Sequence, residues 1–221
     1  MIKASILALA LVAGSANATD NTKTAASVTA QTKLIDHGVE VSNGATVGLD
    51  LRFSNVLLDG VFVRTDFDTV SDLSPINNTL SVRSDLGVGF AGTALGNEWE
   101  VSLNRTLNPV IYAGDYTELR GRVKRGLLFA EINQGLTSDV NKDTYLAGGI
   151  EQAYGPFTVG GQISTVRYSE TDSFAFNNTE VFGRYNAWRN VDLNVNYSYG
   201  GNDVNGVDVG NQLWGGVTVR F

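Results

Sequence analysis

Apolar and polar residues alternate with a period of two along most of this chain. In the segment ATVGLDLRF, Leu49 and Leu51 fall on one face, while Asp50 and Arg52 fall on the other. The segment VDLNVNYSY alternates valine, leucine and tyrosine with aspartate, asparagine and serine in the same way. Successive side chains of a β-strand point to opposite faces, so the pattern predicts strands and not helices.

About twelve such segments follow one another. They span residues 26–36, 45–53, 57–67, 79–90, 98–107, 116–124, 127–134, 143–154, 157–168, 178–188, 191–200 and 211–221. The clearest of them match the roughly 9–11 residues of a tilted membrane-spanning strand. The run RGRVKRGLLFAEI fits one strand or two, so ten or fourteen strands also agree with the pattern. The predicted fold is an all-β, antiparallel, up-and-down transmembrane barrel.

The connections between these segments alternate in length. Short ones lie at 54–56, 91–97, 125–126, 155–156 and 189–190, and longer ones near 37–44, 68–78, 108–115, 135–142, 169–177 and 201–210. Short periplasmic turns and longer outer loops are typical of bacterial barrels.

Aromatic residues cluster at the predicted strand ends, as two belts at the lipid–water boundaries would require. Beside the long connections lie Phe67, Tyr145, Tyr168 and Tyr199. The predicted girdle beside the short turns and at the C-terminus consists of Phe53, Phe90, Trp99, Tyr154, Phe157, Trp188 and Phe221.

The N-terminal segment has the form of a secretory signal. MIKASILALALVAGSANA places Lys3 before an apolar run and ends in Ala16-Asn17-Ala18, a small-x-small cleavage pattern. We expect residues 1–18 to be a signal peptide and residues 19–221 a single barrel domain. No other segment approaches the roughly 20 apolar residues of a membrane helix, so a membrane-embedded mature chain must be a closed barrel.

Composition removes several kinds of chemistry. The chain has no cysteine, one histidine, and a formal charge of −7, which argue against metal sites and nucleic-acid partners. The histidine, His37, next to Asp36 and near Ser42, is the one candidate for a catalytic residue. Because neighbouring strand residues point apart and no second histidine exists, we expect no catalytic residue, no metal and no cofactor.

These features resemble the small bacterial outer-membrane β-barrels of the porin-like superfamily. The resemblance rests on the signal, the alternating strands, the girdles and a last strand ending in an aromatic residue, with Leu213, Val217, Val219 and Phe221 on one face. It implies that the barrel-assembly machinery reads this strand. It also implies outer-membrane lipid and lipopolysaccharide as surroundings, and a monomer, since trimeric porins are larger.

The inward face carries the residues that would select solutes. Acid–base neighbours suggest paired rungs: Asp50 with Arg52, Arg64 with Asp66, Arg83 with Asp85, and Glu180 with Arg184. The predicted pore lining is Arg52, Arg64, Arg83, Asp85, Arg120, Arg122, Glu180 and Arg184.

The predicted function is passive diffusion of small hydrophilic solutes through a narrow charged lumen. The alternatives are a non-conducting barrel whose outer loops bind a partner such as a phage or a host surface, a barrel enzyme at His37, and a secreted β-sandwich.

Overall fold

The structure is a computed structural model of the chain. It describes residues 22–36, 39–42, 44–71, 80–107, 115–136, 143–169, 172–200, 202–203 and 210–221. The expected signal peptide lies outside these residues. The described part of the chain contains no helix long and apolar enough to cross a membrane.

Twelve antiparallel strands form one closed barrel, which confirms the predicted fold class and strand number. Consecutive barrel strands pair along the chain, and the first pairs with the last, where the Phe221 amide donates to the Ala26 carbonyl oxygen at 2.9 Å. The barrel strands are β1 (Lys23–Gln31), β4 (Thr46–Ser54), β5 (Val61–Ser71), β6 (Leu80–Ala94), β7 (Asn97–Leu107), β8 (Tyr116–Arg125), β9 (Leu128–Gly135), β10 (Thr144–Tyr154), β11 (Phe157–Tyr168), β12 (Ser173–Trp188), β13 (Val191–Gly200) and β15 (Gln212–Arg220).

Three short strands form a second sheet, separate from the sheet of the barrel. They are β2 (Leu34–Asp36), β3 (Val39–Ser42) and β14 (Asn202–Asp203), and their order is β14-β3-β2. Leu34 and Val41 are buried in a cluster with Val70, which lies on the inward face of β5. The segment after β1 therefore folds into the end of the barrel where β1 finishes and β15 begins, here called the outer mouth.

Burial is inverted relative to a water-soluble domain. On β6, Leu86 and Val88 are more than half exposed, whereas the inward-facing Arg83 is 4% exposed. Exposing a leucine or valine to water instead of burying it costs about 1.5–3 kcal/mol. Large apolar side chains are also exposed on the outward faces of β4 and of β7 to β13, and on that of β15. The outward surface is therefore suited to hydrocarbon, as the alternation predicts.

The short connections lie at one end of the barrel, here called the inner rim. Two-residue turns at Leu95–Gly96 and Gly155–Pro156 use left-handed residues, with φ of 54° at Leu95, 76° at Gly96 and 59° at Gly155. Positive φ at these positions matches the twist of a tight hairpin. The other described ends of the strands form the outer mouth.

Two predicted strands were displaced. The strand predicted at 26–36 ends at Gln31, because Leu34 and Ile35 turn into the mouth instead of continuing the ladder. The strand predicted at 57–67 begins at Val61, because Asn55, at φ 60°, accepts a hydrogen bond from the Gly60 amide and closes a turn.

The long connection predicted at 169–177 is also shorter than expected. β12 already begins at Ser173, and a β-bulge accommodates Asn177 as an extra residue. The bulge resets the alternation, so Phe174 and Phe176 face outward at 62% and 51% exposure.

Candidate functional site in the barrel lumen

The structure places all eight predicted lining residues on the inward face. Directly opposed residues of an antiparallel pair share a face, and the register opposes Arg52 to Arg64, Asp66 to Asp85, and Arg122 to Glu131. Continuing these pairs around the barrel gives one inward set that contains Arg52, Arg64, Arg83, Asp85, Arg120, Arg122, Glu180 and Arg184.

Four of the eight line one space near the outer mouth, which we call the upper lumen cavity. It has a volume of about 250 Å³. Leu34 and Ile35 from β2 form part of its wall, so the inward-folded segment narrows the lumen here. The ionic residues around it are Asp50, Arg64, Asp66, Asp68, Arg83, Asp85 and Arg120.

Ion pairs link the charged side chains that line the upper lumen cavity. Arg64 lies between two carboxylates, 3.2 Å from Asp50 and 2.7 Å from Asp66. Arg83 lies 3.2 Å from Asp85 and is nearly buried. The expected pairs Arg64–Asp66 and Arg83–Asp85 thus form. Asp50 pairs with Arg64 and not, as expected, with Arg52.

Arg52 instead combines two contacts lower in the lumen. Its guanidinium lies 2.9 Å from Glu100 and 3.9 Å above the centroid of the Phe62 ring. A guanidinium between a carboxylate and an aromatic face is attracted by both. Arg52 is therefore fixed to the wall.

Three inward phenylalanines share one packing arrangement. Phe62, Phe129 and Phe182 each lie against an inward glycine of a neighbouring strand, at Gly89, Gly149 and Gly160 respectively, where a β-carbon would collide with the ring. The absent side chains give the rings space along the wall, which keeps them out of the centre of the lumen.

A second space, the lower lumen cavity, lies between β8–β9 and β10–β13. Its volume is about 220 Å³, and it contains the remaining predicted residues Arg122, Glu180 and Arg184. Its other lining residues are Phe129, Glu131, Glu151, Gln162, Phe182 and Asn196. The lining thus mixes cations, carboxylates, amides and two aromatic rings.

The wall formed by β11–β13 is rich in neutral polar groups. Ser164, Asn178 and Ser198 are almost fully buried, and the Asn178 side-chain amide donates to Ser198 Oγ at 3.0 Å. Asn177 Nδ2 donates to Ser164 Oγ at 3.1 Å, which anchors the bulge. Most described inward charges therefore lie on the wall of β4–β9, opposite this hydroxyl and amide surface.

Six of the seven predicted girdle residues are at least partly exposed at the inner rim. Phe90 stacks on Trp99 with ring centroids 5.5 Å apart, and Phe157 stacks on Tyr185 at 4.7 Å. Tyr154, Trp188 and Phe221 are more than 60% exposed. Phe53 differs. The strand pairing places it on the outward face of the barrel, but its side chain is only 8% exposed and is packed among protein atoms.

The inward phenylalanines were not among the residues predicted to face the lumen. Their positions along the strands indicate the inward face, because residues two apart on a strand point the same way. Phe62 lies two residues from Arg64, Phe129 two from Glu131, and Phe182 two from Glu180. Because aromatic residues of a barrel are expected on its lipid-facing surface, these three positions were not predicted to face the lumen.

The catalytic candidate His37 and the Asp36 side chain lie outside the described residues, while Ser42 is fully buried. Among the described residues, no group of three or more potential ligands is arranged to hold a metal ion.

No protein-family model matches the sequence, and no curated protein sequence matches it. Solved structures do. A KdgM porin gives a TM-score of 0.59 at 13% identity, covering 89% of this chain and 99% of that one. A NanC porin gives 0.53 at 13% identity, covering 89% and 98%. The chain has the fold of a porin-like outer-membrane barrel.

An outer membrane phospholipase A from Escherichia coli gives a TM-score of 0.47 at 15% identity, covering 95% of this chain and 96% of that one, a likeness too low to bear on function. A barrel of this fold with an apolar outer belt fits the predicted location, the bacterial outer membrane.

Proposed function

We propose that the porin-like barrel is a channel through which small hydrophilic solutes diffuse passively. The observation that carries the proposal is the solvent exposure of Arg122 and Arg184, whose side chains point into the lumen. A dry, side-chain-filled barrel would have to bury these charges at a cost of several kcal/mol each. Water in the lumen avoids that cost.

Two further features support a passage. The glycine–phenylalanine contacts keep three large rings against the wall. At the inner rim, a space of about 530 Å³ is bounded by Glu98, Glu100, Arg122 and Lys124. Arg122 also lines the lower lumen cavity, so the two spaces are neighbours. A barrel of twelve strands lies between side-chain-filled and frankly aqueous barrels, which favours a narrow path.

Acidic side chains outnumber basic ones on the described inward face. We therefore propose that the channel prefers cations over anions of equal size. The acids are Asp50, Asp66, Asp68, Asp85, Glu98, Glu100, Glu118, Glu131, Glu151, Glu180 and Asp192, and the bases are Lys23, Arg52, Arg64, Arg83, Arg120, Arg122, Lys124, Arg184 and Arg220.

Ion selectivity of the reconstituted barrel tests this proposal. In planar bilayers with a KCl gradient, the wild type should give discrete channels with a reversal potential toward that of K⁺. Arg122→Glu replaces a positive charge by a negative one at an exposed lumen position and should raise the K⁺/Cl⁻ permeability ratio roughly twofold or more.

Arg189→Glu is the matched control, because Arg189 lies in an exposed inner-rim turn. It should move the ratio far less. Absence of channels over many insertions of correctly folded protein would reject the proposal and favour a non-conducting barrel. Equal shifts for Arg122→Glu and Arg189→Glu would reject the lining assignment.

A further inference from the structure

Two arginines of the lower lumen cavity form no direct ion pair, although both lie near enough to Glu151 to interact with it electrostatically. Among the described residues, neither Arg122 nor Arg184 has a carboxylate oxygen within 4.0 Å. The Arg122 guanidinium lies over the Phe129 ring at 4.9 Å from its centroid. Arg184 is opposed across the strands by Thr158 and Asn194, which are neutral. Both guanidinium groups therefore line the cavity with N–H groups that no described carboxylate binds.

Two carboxylates of the same cavity are held by amides alone. Glu131 accepts from Asn133 Nδ2 at 2.9 Å, and Glu180 accepts from Gln162 Nε2 at 3.4 Å. Glu151 differs, because Lys124 Nζ lies 2.6 Å from it. In the described part of the chain, Glu131 and Glu180 form no ion pair.

Geometry explains why these opposite charges stay apart. Glu180 and Arg184 are four residues apart on one strand, a separation of about 13 Å between their backbone positions. The sequence-based pair between them therefore does not form. Arg122 is directly opposite Glu131, but it lies on the Phe129 ring instead. Apart from Glu151, which pairs with Lys124, the cavity keeps two cationic and two anionic groups without direct pairing around a space of about 220 Å³.

We propose that the lower lumen cavity is a binding site for small zwitterionic solutes of the amino-acid class, a proposal that rests on the proposed channel. A carboxylate of the solute binds the guanidinium of Arg184 or Arg122, since an arginine fork matches a carboxylate. The ammonium group of the same solute binds Glu180 or Glu131. The Phe182 ring, which also lines the cavity, attracts the cationic end.

The separation of the charges also lets the cavity distinguish a zwitterion from a simple anion or cation. A simple anion that binds an arginine remains exposed to the field of Glu131 and Glu180, and a simple cation meets the two arginines. A zwitterion pairs with one group of each sign at once. The cavity therefore binds a zwitterion with a more favourable free energy than a solute that carries one charge. The cavity is smaller than the roughly 300–1,000 Å³ of sites for drug-sized ligands, which restricts it to solutes of a few heavy atoms.

Weak binding is expected, since a solute that passes through a channel must also leave it. Alanine is the appropriate probe, with propanoate, isopropylammonium and propanamide as analogues of similar size that carry one charge or none. In single-channel recordings in KCl, alanine should reduce the current at a concentration at least about threefold lower than any of the three analogues.

Neutralising one sign at a time tests the two halves of the site. The double variant Glu131→Gln/Glu180→Gln should abolish the preference for alanine over propanoate, and Arg122→Gln/Arg184→Gln the preference for alanine over isopropylammonium. Asp59→Asn and Arg189→Gln make the same chemical changes in exposed inner-rim turns and should leave both preferences at the wild-type level.

The outcomes separate this inference from the channel itself. Channels that conduct KCl but respond to alanine as they do to propanoate or propanamide would overturn the zwitterion site while the channel stands. If no channels appear, saturation-transfer NMR of alanine with the refolded barrel decides. Transfer lost in both Glu131→Gln/Glu180→Gln and Arg122→Gln/Arg184→Gln supports the site. No transfer to the wild type, or transfer retained in either double variant, overturns it.

Discussion

Replacing Leu34 and Val41 together by asparagine is expected to raise the single-channel conductance about 1.5- to twofold. These side chains anchor the segment after β1 against Val70, which is 1% exposed on the inward face. Asparagine is similar in size but places an amide where there is an apolar contact, which costs about 1–3 kcal/mol per unsatisfied group. The segment then leaves the mouth, and the path above the upper lumen cavity widens.

The matched control is the double variant Leu58→Asn and Leu95→Asn. Both leucines lie in inner-rim turns and are 68% and 94% exposed, so they contact little and their change should leave conductance as it is. Heat-dependent gel mobility should show that both double variants are folded barrels. Equal conductance in the wild type and in Leu34→Asn/Val41→Asn would mean that the segment does not restrict the path.

Gly160→Ala is expected to lower the free energy of unfolding by about 1–3 kcal/mol, the usual cost of forcing extra volume into packed protein. A β-carbon at Gly160 would overlap the Phe182 ring and lie 2.6 Å from the Ile150 carbonyl oxygen. Either the ring or two strands must shift. Urea unfolding of the barrel in lipid vesicles measures the change.

Gly183 provides the control on the strand next to Gly160. A β-carbon there would meet only Val195 Cγ1, at 3.8 Å, so Gly183→Ala should change stability by less than about 0.5 kcal/mol. Adding Phe182→Leu to Gly160→Ala should recover part of the loss but not all, because the Ile150 carbonyl remains. Equal stability of Gly160→Ala and Gly183→Ala would contradict the ring-on-glycine packing.

The sequence contains enough to predict the barrel because lipid imposes one rule on every strand. Each outward position must be apolar over about ten residues, and so the alternation at Leu49–Arg52 or Val191–Tyr199 predicts both the strand and its lumen face. The twelve strands and the inward position of residues such as Arg83 and Glu180 follow from that rule.

Features that depend on contacts between distant strands were not predictable. Leu34 continues the alternation of β1, yet it packs on Val70, and only the closed barrel brings the two together. The partner of Asp50 depends on the register between β4 and β5, which a single sequence leaves open. The packing of Phe182 on Gly160 depends in the same way on the register between β11 and β12.

Selective chemical block of the lumen tests the central claim, that solutes pass through this barrel, most directly. The chain has no cysteine, so single cysteines can be placed at two adjacent residues of β13, Asn196 in the lower lumen cavity and Val195, outward and 53% exposed. A bulky, charged thiol reagent should lower the single-channel conductance of Asn196→Cys in one step and leave that of Val195→Cys unchanged. The same response from both variants, or none from Asn196→Cys once labelling is verified, would contradict conduction through the lumen.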